Sequence, residues 1–164
     1  MIMLTDAPAA AAAMAAGIGA RRRFRLGGSL DPRFAPLELE AEVTMLSDGN
    51  YPLESWGTPE HGGPTAVLRA GQLTLVVTSR PVLLFDRSLF LAHGCDPRRF
   101  DAVVVKSPHC QPQFFDAWAS ANLNVDAAGS TSANLPRLGH RKCARPVFPL
   151  EPDTVFEPRV ERFA

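Results

Sequence analysis

The sequence predicts a layered α/β or α+β sandwich built on a mixed sheet. Three features predict it: a leading helix, a group of antiparallel strands, and then strand-helix-strand units. The first element is a helix through the alanine run Ala9 to Ala16, with Thr5 or Asp6 as N-cap, Pro8 in the first turn and Gly17 or Gly19 as the stop. Arg23 to Leu26 alternates and ends at Gly27-Gly28, a short strand entering a turn. The clearest strand follows. Leu37, Leu39, Ala41, Val43 and Met45 share one face, while Glu38, Glu40, Glu42 and Thr44 share the other, which predicts a half-buried strand with a solvated acidic face. Ser47-Asp48-Gly49-Asn50 has turn composition, and Tyr51 to Pro64 reads as a Gly/Pro-rich loop carrying Trp56 and His61.

Thr65 to Arg69 and Leu73 to Thr78 form a hairpin across Ala70-Gly71-Gln72. The run Leu73 to Val77 is apolar at almost every position, as expected of a strand covered on both faces. Asp86 caps a short helix that runs through Leu91 and stops at Gly94. Ala102 to Val105 reads as another buried strand, Gln113 to Ala121 as a helix with Phe114, Phe115 and Trp118 on one face, and Leu123 to Val125 as a last short strand. From Arg137 the chain turns basic and proline-rich. One domain over residues 1–150 with an extended tail over 151–164 is the expected division.

At 164 residues the chain is long enough to bury a core. Lys plus Arg equals Asp plus Glu at 17 each, so net charge steers it toward neither nucleic acid nor anionic lipid. Three cysteines without a C-x-x-C pair argue against a disulfide framework and for a reducing, cytoplasmic setting. The alanine run is expected to be a capped helix rather than a secretory signal, because Asp6 precedes it and the cations Arg21 to Arg23 follow it. No stretch approaches the roughly 20 apolar residues that span a bilayer.

Three places pair histidine with cysteine: His93 with Cys95, His109 with Cys110, and His140 with Cys143. The atoms suit zinc, but the spacing matches no familiar structural site and there is no H-E-x-x-H, so no metal site is expected within the chain. Two strand ends are more informative. Thr78-Ser79-Arg80 follows one apolar strand, and Lys106-Ser107-Pro108-His109 follows another. In sheets of this kind ligands bind beyond the carboxyl ends of strands, so Thr78, Ser79, Arg80, Lys106, Ser107 and His109 are the candidate cleft residues. Ser107 and His109 lack the G-x-S-x-G elbow and positioned acid of a nucleophilic pair. The run Gly129 to Leu135 suits a cap for a short helical turn.

Taken in order, several stretches resemble the C-terminal domain of MlrC-like proteins, the metallopeptidases named for microcystin degradation. They are Ala16 to Ala20, Leu26 to Pro32, Gly63 to Arg69, Thr78-Ser79-Arg80, Phe100 to Ser107, Val125-Asp126, Gly129 to Leu135 and Arg145 to Leu150. Each motif alone is weak; their shared order over about 150 residues is specific. The resemblance implies a two-domain enzyme whose N-terminal α/β domain holds zinc through Asp, Glu and His ligands, that domain being the partner of this one. The family's usual Lys-Ser-x-x-His-Phe end departs here to Lys106-Ser107-Pro108-His109-Cys110-Gln111, with the histidine one place early, and the loop before Gly63 is shortened. A substrate preference different from microcystin peptides follows from those departures. The expected function is a cleft-closing domain for zinc-dependent peptide hydrolysis. The alternative is a stand-alone module that binds a peptide or protein without catalysis.

Overall fold

The structure is a computed structural model, and it describes residues 1–29, 34–107, 112–127, 134–155, 157–158 and 160–162. The chain gathers into two compact units, Met1–Asn122 and Leu123–Ala164. The first holds β1 (Ile2–Thr5), α1 (Ala7–Ala16), β2 (Arg21–Leu26), β3 (Leu37–Ser47), β4 (Asn50–Pro52), β5 (Pro59–His61), β6 (Thr65–Ala70), β7 (Leu73–Thr78) and α2 (Ser88–Ala92).

Five strands form one mixed sheet in the order β1-β7-β6-β3-β2, with β1 parallel to β7 and every other pair antiparallel. Both faces are covered. On one, α1 lays Ala9, Ala10 and Ala13 against Phe24, Leu26, Ala41, Val43, Leu68 and Val77. Alanine suits that role because its short side chain lets the helix backbone approach the sheet while favouring helix. On the other face Met3, Val67 and Val76 pack with Tyr51, Leu53, Leu84, Leu89 and Phe90. Alternation along β7 sends Leu75 and Val77 to the first layer and Val76 to the second, as its unbroken apolar run predicts.

Asp6 is the N-cap of α1, its Oδ1 accepting from the Ala9 N–H at 3.1 Å, and Gly17 closes the helix at φ 81°. The acidic face of β3 is not simply solvated. Across the antiparallel register Arg21 stands opposite Glu42 and Arg23 opposite Glu40. Arg21 pairs with Glu42 at 3.0 Å and Arg23 reaches diagonally to Glu38 at 3.4 Å. Exposed pairs of this kind contribute little stability, on the order of 0.2–1 kcal/mol each, and mainly favour the observed register.

Several sequence expectations need correction. The strand β1 was not expected at all; its parallel partner lies 73 residues on, at Leu75, so no local pattern announces it. The face of β3 switches after Val43, where the register against β6 slips. Met45 consequently joins the second core and Leu46 the first, opposite to strict alternation. The loop from Tyr51 to Pro64 contains the hairpin β4-β5, in which Asn50 pairs with His61 and Pro52 with Pro59.

Ala102 to Val105 makes a single parallel bridge, Ile2 to Val104, at the outer edge of β1; Val103 and Val105 face the core while Val104 is 48% exposed. The expected helix over Gln113 to Ala121 shrinks to a 3-10 turn at Pro112–Phe114. Two i to i+4 bonds follow it, Asp116 N–H to Pro112 O at 2.8 Å and Ala119 N–H to Phe115 O at 3.1 Å, but no continuous ladder. The Trp118 indole N–H binds the Phe114 carbonyl at 2.9 Å instead. Leu123 to Val125 pairs with no described strand, and both apolar side chains lie exposed. In the second unit a 3-10 helix covers Leu135–Leu138, led by Asn134 without a side-chain cap bond. The cap expected in the run from Gly129 to Leu135 falls, up to residue 133, outside the described residues.

Tyr51 offers a clean stability test. Its ring is 4% exposed and edge-on to His93 at 6.0 Å, while its hydroxyl is the one buried side-chain polar atom among the described residues without a hydrogen-bond partner. Removing a desolvated, unpaired hydroxyl relieves a penalty. Tyr51→Phe is therefore expected to leave the midpoint of chemical unfolding unchanged or to raise stability by up to about 1 kcal/mol, whereas Tyr51→Ala should lower it through the cavity left behind.

Candidate strand-end site

The parallel pairing of β1 with β7 brings their carboxyl ends together, Thr5 beside Thr78. The bridge from Ile2 to Val104 is also parallel, so the 102–107 segment runs the same way on the other side of β1. Lys106 and Ser107 therefore arrive at the sheet end that carries Ser79 and Arg80. In sheets with parallel strands this carboxyl end is where ligands commonly gather.

The candidate residues differ in what they can offer. Thr78 is fully buried, its Oγ1 lies 3.3 Å from Thr5 Oγ1, and its carbonyl accepts from the Asp6 N–H at 2.9 Å, so it acts inside the fold. Ser79 is half-buried: its N–H donates to Pro64 O at 3.1 Å and its Oγ lies 3.4 Å from Gly62 O. Arg80 is exposed, with its N–H donating to Gly62 O at 2.9 Å. Lys106 is exposed and Ser107 half-buried. His109 lies outside the described residues, as does Cys110.

The floor beneath Ser79 and Arg80 is a glycine cradle that sequence reasoning did not single out. Gly49 adopts φ 74° and Gly63 φ 64°, both in the region glycine favours. A Cβ on Gly63 would meet Ser79 Oγ at 2.4 Å, and one on Gly49 would meet Gly63 O at 2.0 Å. Gly62 N–H donates to Gly49 O at 2.8 Å, and the Thr65 hydroxyl donates to Gly63 O at 2.7 Å. Only the missing Cβ atoms let these turns stack so closely. The dipeptide Gly62-Gly63 is the one sequence signal that marks such a close approach.

Two further polar centres brace the site. Asp6, 1% exposed, binds Gly27 N–H at 2.7 Å through Oδ2 as well as capping α1. One carboxylate thus ties the end of β1, the helix start and the end of β2. His93, also buried, places Nδ1 2.6 Å from Leu89 O and Nε2 2.8 Å from Ser47 Oγ. A carbonyl only accepts, so Nδ1 carries the hydrogen and Nε2 accepts from the Ser47 hydroxyl. Burial pushes the His93 pKa below its usual value, against the opposing pull of Leu89 O and Asp48. Cys95 is buried with its thiol pKa pushed up by burial. His93 and Cys95 thus stand in the fold as a hydrogen-bonded imidazole and a packed thiol.

Among the described residues no three His, Cys, Asp or Glu side chains converge as a metal-ligand group. Nor, among them, is any helix long and apolar enough to cross a membrane.

The profile of the MlrC C-terminus family matches residues 1–142. The chain belongs to that family. No curated protein matches it. Among solved structures it resembles the crystal structure of a candidate metallopeptidase from Mesorhizobium sp. BNC1, with a TM-score of 0.77 and 26% identity. The alignment covers 96% of this chain and 32% of that one, so this MlrC C-terminal domain spans about a third of the length of its structural relative.

Proposed function

We propose that this MlrC C-terminal domain shapes and closes the substrate cleft of a metallopeptidase whose zinc and hydrolytic chemistry reside in a separate N-terminal domain. The observation that carries the reading is the family match over residues 1–142, and beside it stands a structural match that covers about a third of a candidate metallopeptidase. The site supports it, because Ser79, Arg80, Lys106 and Ser107 come to one sheet end as hydroxyl and cationic groups suited to a peptide backbone and its carboxylates. No hydrolytic step is assigned to these residues; their part is to bind and orient. Support for a partner domain comes from the outer side of α1 and the turn after it, where Met14 and Ile18 are exposed and no charged side chain occurs from Ala7 to Ala20. The cysteine pattern supports a reducing, cytoplasmic setting.

The test is metal content and peptidase activity of the purified chain, alone and co-expressed with a zinc-bearing MlrC N-terminal domain. The chain alone should carry far less than one zinc and cleave nothing; together, hydrolysis should appear. Arg80→Ala and Lys106→Ala should then lower kcat/KM about tenfold or more without changing zinc content. Stoichiometric zinc with peptidase activity in the isolated chain would overturn the reading. Failure to associate with any zinc domain would leave a stand-alone binding module in its place.

A further inference from the structure

A continuous hydrogen-bond chain runs from the buried His93 to the strand end. The Ser47 hydroxyl donates to His93 Nε2 at 2.8 Å and accepts from Gly49 N–H at 3.0 Å. Gly49 O accepts from Gly62 N–H at 2.8 Å, and Gly62 O accepts from Arg80 N–H at 2.9 Å. Four contacts therefore separate the imidazole from the backbone of Arg80. The chain has little slack, since a Cβ at Gly49 would already collide with Gly63 O. From these contacts we infer that His93 is a pH-responsive positioning residue for the Ser79–Arg80 strand end, acting through Ser47, Gly49 and Gly62.

Protonation supplies the switch. A proton from solvent taken up on Nε2 turns that atom from acceptor to donor, while Nδ1 keeps its bond to Leu89 O. The Ser47 hydroxyl hydrogen must then rotate away, and Ser47 Oγ must accept from Nε2 while still holding Gly49 N–H. The anchor on the Gly49 turn weakens, and Gly62 and Arg80 move with it. The groups facing His93 do not titrate with it. The Cys95 thiol and the Tyr51 hydroxyl, on the segment after α2 and on β4, are both pushed up by burial and stay neutral. Asp48, at the end of β3, is held below the usual carboxylate range by Asn50 and stays ionised. His61, beside Gly62 and 2.6 Å from Asn50 Oδ1, is the neighbouring imidazole that must be silenced in any test. The coupling holds whether or not the strand end meets a substrate.

The experiment follows the amide resonances of the purified chain in a His61→Gln background from pH 7.5 to 5. Gly49, Gly62 and Arg80 amides should shift with the midpoint of the His93 ring protons. Ser47→Ala should abolish the tracking at Gly62 and Arg80 and speed their hydrogen exchange about tenfold or more over that of β6 and β7, while Ser47→Thr, which keeps the hydroxyl, should restore it. Gly62 and Arg80 amides that ignore the His93 titration would overturn the inference, as would an imidazole that stays neutral until the domain unfolds. Should Ser47→Ala fail to fold, the titration in the His61→Gln chain decides alone.

Discussion

Gly49→Ala is expected to cost the domain about 3 kcal/mol of stability, among the largest effects of any single methyl in the chain. Two penalties combine. The residue sits at φ 74°, which an L side chain adopts only with strain, on the order of 1–2 kcal/mol. The added Cβ would also stand 2.0 Å from Gly63 O and 2.8 Å from Thr65 Oγ1, and neither backbone carbonyl nor buried threonine can yield cheaply. Gly71→Ala is the control. It shares the positive φ, at 58°, but a Cβ there meets nothing within 4 Å. Chemical unfolding of both variants should therefore show a loss of about 1 kcal/mol for Gly71→Ala and clearly more for Gly49→Ala. Equal losses would mean the turns do not stack as described, and the path from His93 to Arg80 would lose its middle. Because Gly62 and Ser79 rest on the same cradle, Gly49→Ala should also loosen the strand end before the sheet itself.

What was legible in the sequence follows the range of the interactions. The helix at Ala7–Ala16, the hairpin of β6 and β7, and most of β3 depend on neighbours a few residues apart, and their patterns say so. The cap at Asp6 was legible for the same reason, whereas its second bond to Gly27 was not, since it joins residues 21 apart. The bulge beyond Val43 was hidden because Thr44 fits the polar face of an unbroken strand; only its bond to Val67 O, at 3.2 Å, marks it as displaced. For the site, the rule that ligands gather at strand ends singled out Ser79, Arg80, Lys106 and Ser107, and the parallel pairings bring these four to one end of the sheet. That the two ends share one edge depends on the unexpected strand β1 between them. The apolar cluster Phe114, Phe115 and Trp118 has helical spacing, yet Pro112 and the indole bond to Phe114 O resolve it into turns.

Asp86→Ala should cost about 3 kcal/mol, because it strips an ionised acceptor from three donors at once. Asp86 is 2% exposed; Oδ2 accepts from Ser55 N–H at 2.8 Å and from the Ser55 hydroxyl at 2.7 Å, and Oδ1 accepts from Ser88 N–H at 2.8 Å. Ser88 Oγ in turn holds Glu54 N–H at 2.6 Å, and Glu54 pairs with Arg87. One carboxylate thus fastens the loop after β4 to the start of α2, where the residue at the cap position, Arg87, offers no side-chain bond of its own. Burial alone would raise the pKa of Asp86, but the bonds from Ser55 and Ser88 outweigh it and hold the carboxyl below its ordinary value of 3.8. A depressed folded value means that the unfolded chain binds this proton first on acidification. The stabilisation is therefore complete above that ordinary value and drains away as pH falls through the lower folded one. Asp86→Asn, which keeps one acceptor oxygen and cannot ionise, should lose less stability than alanine and flatten the decline measured below pH 4. A variant that kept the full acid-limb slope would show that other carboxylates govern it and that Asp86 is not the fastening group. Since His93 is the C-cap of α2, loss of Asp86 should also free the imidazole from Ser47 and release the strand end at neutral pH.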